Sequence, residues 1–130
     1  MKHLFFSVCF FLMWGGVFAQ SGAAITWDKN YFDFGDVVKG AKVEHTFKFT
    51  NTGTEPLVIT NVEVTCGCTT PKGWPRDPIA PGTKAEISVQ FDSTNKMGRQ
   101  NKVVVIVSNA SAGNSQITFS ANVLPAKPQE

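Results

Sequence analysis

The feature that most constrains this chain is a strict two-residue alternation of apolar and polar side chains. From Val43 to Phe49 it is unbroken: Val43, His45, Phe47 and Phe49 fall on one side, and Glu44, Thr46, Lys48 and Thr50 on the other. The same period returns at Ala85, Ile87, Val89 and Phe91, and again at Ile117, Phe119, Ala121 and Val123. Successive side chains of an extended strand point to opposite faces, so this pattern describes strands with one buried face. A helix would need a period near 3.6, and no stretch supplies it convincingly. The composition agrees. Residues 20–130 hold 12 Val, 6 Ile and 12 Thr but only 2 Leu and one Met, and β-branched side chains favour strands.

Further strands are expected at Ala24–Trp27, Tyr31–Asp36, Leu57–Thr65 and Val103–Val107. The last is continuously apolar, as in a strand covered on both faces. Turns are expected at Lys39-Gly40, Asn51-Thr52-Gly53-Thr54, Pro81-Gly82 and Asn109–Asn114. Residues 66–82, with Pro71, Pro75, Pro78 and Pro81, read as a long irregular stretch, and Asp92–Gln100 as a polar loop. Seven to eight short strands with turns about every ten residues imply an all-β, immunoglobulin-like antiparallel sandwich. The Cys…Trp…Cys framework of antibody domains is missing.

The N-terminus lies outside this pattern. Met1-Lys2-His3 is a short basic start, Leu4–Trp14 is almost wholly apolar, and Val17 and Ala19 stand where a signal peptidase reads small or apolar residues. This is a secretory signal peptide cut between Ala19 and Gln20. Removing 19 of 130 residues leaves 111. The domain organisation is then a signal peptide over 1–19, the sandwich over 20–124 and a flexible tail over 125–130. The expected location is the periplasm or the medium, with no transmembrane segment in the mature chain. The formal charge of +2 and the absence of a concentrated basic face argue against nucleic acid as a partner.

Cleavage removes Cys9 and leaves Cys66 and Cys68, flanking Gly67. Three readings are open. Both cysteines continue the Val62/Val64 stripe as small buried residues. Alternatively they form a disulfide. In a straight strand their Cα atoms would lie about 6.6 Å apart, near the upper limit for a bridge, so Gly67 would have to bend the chain. Such a bridge closes only three residues and constrains the unfolded chain by roughly 1.6 kcal/mol, which makes its value more chemical than structural. Finally, two thiolates on one face could grip Cu(I). A four-ligand Cys/His zinc site cannot be completed within one monomer, because His45 is the sole histidine of the mature chain; carboxylates or a second chain would have to help.

Catalytic constellations are not assembled. A Ser-His-Asp or Cys-His site would have to recruit His45, which sits on an apolar strand face and reads as a packed or edge residue. Nothing pairs Asp33, Asp36, Asp77 or Asp92 into a two-carboxylate site. Lys96, Arg99 and Lys102 form a small basic group, and Asn109-Ala110-Ser111 fits the N-glycosylation triplet.

Several strings together resemble a known family. They are Phe32-Asp33-Phe34-Gly35, Phe47-Lys48-Phe49-Thr50-Asn51-Thr52-Gly53, Val64-Thr65-Cys66-Gly67-Cys68-Thr69-Thr70-Pro71, Pro78-Ile79-Ala80-Pro81-Gly82 and Ile87-Ser88-Val89-Gln90-Phe91-Asp92, followed by Gly98, Lys102 and Val103-Val104-Val105. They resemble the bacterial secreted family known as domain of unknown function 1573, over about residues 31–123. The resemblance implies an Ig-like sandwich, related in architecture to major sperm protein and cilia-associated Ig-like domains, in an exported bacterial protein. It carries no activity and no cofactor, and the Cys-Gly-Cys pair carries over as a hallmark without an assigned job. The expected function is therefore a non-catalytic binding or structural module of the cell envelope, with an unknown protein or envelope component as partner. The alternative is a thiol-redox or Cu(I)-binding protein acting through Cys66 and Cys68, with Gly67, Thr69 and Pro71 as a supporting loop.

Overall fold

A computed structural model describes residues 22–126, and the expected signal peptide and most of the expected tail lie outside them. Each alternating stretch is a strand. The order is β1 (Ile25–Trp27), β2 (Tyr31–Val38), β3 (Lys42–Asn51), β4 (Ile59–Val64), β5 (Thr69–Gly73), β6 (Lys84–Asp92), β7 (Gly98–Ser108) and β8 (Ser115–Leu124). They form two four-stranded sheets, β1-β3-β6-β5 and β2-β8-β7-β4. The described residues contain no helix. The fold is an Ig-like β-sandwich.

The inward positions meet between the sheets. Phe47, Phe49, Ile87, Val89 and Phe91 from the first sheet and Val104, Ile106, Ile117, Phe119, Ala121 and Val123 from the second are all buried. Phe91 and Phe119 touch across the gap, with ring centroids 5.6 Å apart. Each such Val, Ile or Phe side chain contributes about 1.5–3 kcal/mol by leaving water. In β2, Asp33 Oδ1 accepts the Gly35 N–H at 2.8 Å, and the register slips between Asp33 and Asp36. Gly35 takes φ 70°, a conformation that side chains with a Cβ rarely adopt. This bulge resets the alternation, so Val37 faces the core and Asp36 does not.

Four expectations are corrected. Five strand pairings are antiparallel, but β2 runs parallel to β8, so the second sheet is mixed. These two strands are far apart in sequence, and a parallel pair needs no tight turn, so reasoning from successive hairpins misses it. Residues 66–82 are not wholly irregular. Thr69–Gly73 is the edge strand β5, which tolerates Pro71 because an edge strand has one side without ladder partners. β7 begins at Gly98, inside the expected loop. Val104 and Ile106 are fully buried, while Val103, Val105 and Val107 are only half-buried on the outer face, so β7 is covered on one side.

Asn51 locks the end of β3. Fully buried, it accepts the N–H groups of Ala24 and Gly53 through Oδ1 and donates through Nδ2 to the carbonyls of Glu55 and Ile79. One side chain thus ties the segment before β1, the β3–β4 turn and the loop after β5. Beside it, a Cβ on Gly53 would lie 2.1 Å from the Gly22 carbonyl oxygen, so the turn and the segment before β1 meet only over a glycine. Replacing Asn51→Ala orphans these buried backbone groups. The expected loss is about 3 kcal/mol or more, read as a lower midpoint with an unchanged slope in urea unfolding.

Candidate functional site

Cys66 and Cys68 lie where the chain passes from one sheet to the other. β4 is an edge strand of the second sheet and β5 an edge strand of the first. Between them, Thr69 N–H donates to the Cys66 carbonyl at 3.1 Å, closing a turn over Gly67 and Cys68. The turn brings the two Cα atoms to 5.2 Å, and the sulfurs are joined in a disulfide. A straight continuation of β4 would have kept them farther apart, so turning the corner is what permits the bond.

Cys68 belongs to the buried core, and Cys66 is half-buried against it. Only Cys68 is packed as a small core residue, and it is bonded to Cys66 at the same time. The Cys68 N–H donates to Cys66 Sγ at 3.2 Å, and the Cys68 carbonyl accepts the Asp92 N–H at 2.8 Å. The Thr69 hydroxyl lies 3.8 Å from Cys68 Sγ. Gly67 is at the turn's apex, whereas Thr69 and Pro71 are in β5 and not in a loop. With its sulfurs bonded to each other, the pair offers no thiolate to Cu(I). Among the described residues, no three His, Cys, Asp or Glu side chains converge as metal ligands.

The disulfide borders an open depression of about 360 Å³ lined by Cys66, Gly67, Cys68, Asp92, Thr94, Asn95 and Lys96. Its far wall is the β6–β7 turn, where Asn95 takes φ 65°, a left-handed conformation that Asn adopts more readily than most residues. The Thr94 hydroxyl and its backbone N–H hold the Asp92 carboxyl below its ordinary range.

Most of the other sequence candidates are engaged in structure, whereas Asp77 is exposed on the loop after β5. The His45 ring stacks on Phe32 with centroids 3.6 Å apart and meets Phe47 and Phe34 edge-on. Asp33, held low chiefly by the Gly35 N–H, sits 3.6 Å from Arg99, and Asp36 accepts a hydrogen bond from Asn122. Arg99 is exposed, while Lys102 shares the inward parity of Val104, so the expected basic group is split between faces. Asn109 accepts the Val58 N–H and donates to the Pro56 carbonyl, which occupies the side chain of the glycosylation triplet. Asn51 was legible only as part of a turn, because nothing local announces a buried amide.

These features define a class: an Ig-like sandwich with a one-residue disulfide at its sheet-to-sheet corner. The chain belongs to the family described as "Protein of unknown function (DUF1573)", which it matches over residues 25–123. No curated protein matches it by sequence. Among solved structures it is similar to a protein of unknown function from Porphyromonas gingivalis W83, with a TM-score of 0.65 and 19% identity over 85% of this chain and 51% of that one. It is also similar to the secreted serine protease VesC from Vibrio cholerae, with a TM-score of 0.60 and 18% identity over 84% of this chain and 24% of that one. A third is the ASH/PapD-like domain of human CEP192, with a TM-score of 0.59 and 11% identity over 79% of this chain and 87% of that one. The chain thus spans about a quarter of VesC and half of the Porphyromonas protein. At such identities the likeness is one of fold.

Burial holds the His45 imidazole below its ordinary 6.5. The unfolded chain therefore takes up the proton first, and stability is full above 6.5 and falls as the pH drops through the lowered value. Urea unfolding between pH 7.5 and 5 (about the window of histidine titration) is expected to show this decline. His45→Phe, which keeps a ring on Phe32, is expected to flatten it.

Proposed function

We propose that the chain is an exported, non-catalytic Ig-like module of the bacterial cell envelope that binds or braces a protein or another envelope component. The observation that carries this reading is the engagement of its chemical side chains. His45 is packed among phenylalanines, Asp33 and Asp36 are tied to Arg99 and Asn122, and no buried side-chain polar atom among the described residues lacks a partner. A site prepared for turnover ordinarily keeps a poised acid, base or nucleophile unpaired toward a cleft.

The family and its structural relatives support a module. The same sandwich is one part of the longer VesC chain, a protein described as secreted. Binding surfaces of such folds are commonly loops and outer sheet faces. Among the described residues no helix is long and apolar enough to cross a membrane. The signal peptide over residues 1–19 supplies the route of export.

Expressed from Met1 in a Gram-negative host, the chain is expected in the periplasmic fraction with an intact mass beginning at Gln20. A full-length chain held in the inner membrane contradicts the export reading. A turnover abolished by replacing His45, Asp33 or Asp92 contradicts the non-catalytic one.

A further inference from the structure

We infer that Cys66–Cys68 is a thiol–disulfide exchange site, with Cys66 as the sulfur that meets the partner and Cys68 as the sulfur that leaves when the bridge opens and attacks Cys66 when it re-forms. The partner is a cysteine-bearing segment of another exported protein, seated in the depression between the Cys66–Thr69 turn and the β6–β7 turn. This goes beyond the module reading and does not depend on it.

The bridge joins residues separated by one glycine, so it adds little to what the backbone already holds. The Thr69 N–H on the Cys66 carbonyl and the Asp92 N–H on the Cys68 carbonyl fix the same turn without sulfur. Opening the S–S bond leaves both hydrogen bonds and the β5–β6 ladder in place. A bond that can break without dismantling its surroundings is suited to exchange. Buried structural disulfides lack that access, and the exposed ones are the labile class.

Asymmetry supplies the second argument. Both cysteines border the depression, but Cys66 is only half-buried, whereas Cys68 sits in the core with the Thr69 hydroxyl beside its sulfur. An incoming thiolate reaches Cys66 Sγ more readily. Once the bond is open, Cys66 Sγ has the Cys68 N–H as a donor, which favours the thiolate. Lys96 brings a positive charge to the rim and Asp92 a negative one, so the depression is balanced and not strongly attractive to either sign.

A third argument concerns docking. Met97 follows Lys96 in the same turn and is 64% exposed, one of two large apolar side chains left open to solvent among the described residues. A flexible thioether next in sequence to Lys96 offers an adaptable contact to an extended segment.

The exchange balances as follows. A partner thiolate attacks Cys66 Sγ, forming a partner–Cys66 bond as the Cys66–Cys68 bond breaks. The electron pair leaves on Cys68 Sγ, which takes a proton from solvent. A second thiolate of the partner then attacks the partner sulfur of the mixed disulfide and releases Cys66. The partner dithiol is oxidised to a disulfide, and the Cys66/Cys68 pair is reduced to two thiols.

The test uses the full mature chain in its folded state. The native oxidised protein is mixed with reduced glutathione at pH 7, and its thiols are counted by alkylation and intact mass while circular dichroism follows the fold. Reduction with the β-signal unchanged is expected. Inertness until the chain unfolds overturns the proposal. The reduced wild-type chain is then treated with limiting iodoacetamide and its cysteines are located by fragmentation. Label on Cys66 is expected to exceed label on Cys68 by roughly tenfold. Equal labelling, or an excess on Cys68, overturns the assignment of roles. Finally, Cys68→Ser is expected to accumulate a stable mixed disulfide with glutathione disulfide, and Cys66→Ser to form one roughly tenfold more slowly. Equal rates would again overturn it.

Discussion

Everything in this domain depends on burying one face of each sheet against the other. Neither sheet is stable alone, since each presents a row of large apolar side chains on one side. Phe91 and Phe119 meet in the middle of that interface, and His45 on Phe32 continues it toward one edge. Because the interface admits only inward residues, it sets the register of every strand. A slip of one residue would turn Phe47, Phe49 and the rest of their face into solvent. At the Gly35 bulge the alternation is interrupted, and there the chain spends a glycine to restore it.

The corner that carries the cysteines is a consequence of the same interface. β4 and β5 lie at the same side of the sandwich but in different sheets, so the chain must cross between them within Thr65–Cys68. Crossing forces a tight turn, the turn shortens the distance between alternate residues, and two cysteines in those positions can bond. The disulfide therefore does not create the corner. It occupies a geometry that the sheets, the Thr69–Cys66 hydrogen bond and the Asp92–Cys68 hydrogen bond already impose. β5, beside it, is short and carries Pro71, two features that blunt a free sheet edge against pairing with other chains.

Strand existence was legible where alternation was strict, as in β3, β6 and β8, because a two-residue period has a single structural meaning. It was not legible for β5. Thr69-Thr70-Pro71-Lys72-Gly73 has no apolar alternation, and it becomes a strand only because β6 offers it a ladder. The pairing of β2 with β8 was hidden because it joins strands near opposite ends of the chain. At the site, the motif and its bend at Gly67 could be read directly. The asymmetry of the two sulfurs could not, since it depends on the turn carrying Cys68 into the core while Cys66 stays half-buried against it. Asn51 was invisible as an anchor because its four partners come from segments scattered between Ala24 and Ile79.

The central claim is that the sandwich does not need the Cys66–Cys68 bond, which leaves the bond free for chemistry. The direct measurement is the unfolding free energy of the oxidised mature chain against that of the doubly substituted Cys66→Ser, Cys68→Ser chain, by urea titration at one pH. Closing three residues constrains the unfolded state by only about 1.6 kcal/mol, so the two values are expected to lie within about 2 kcal/mol with equal slopes. A loss of about 5 kcal/mol, or failure of the substituted chain to unfold cooperatively, would mark the bond as a structural staple and contradict the account.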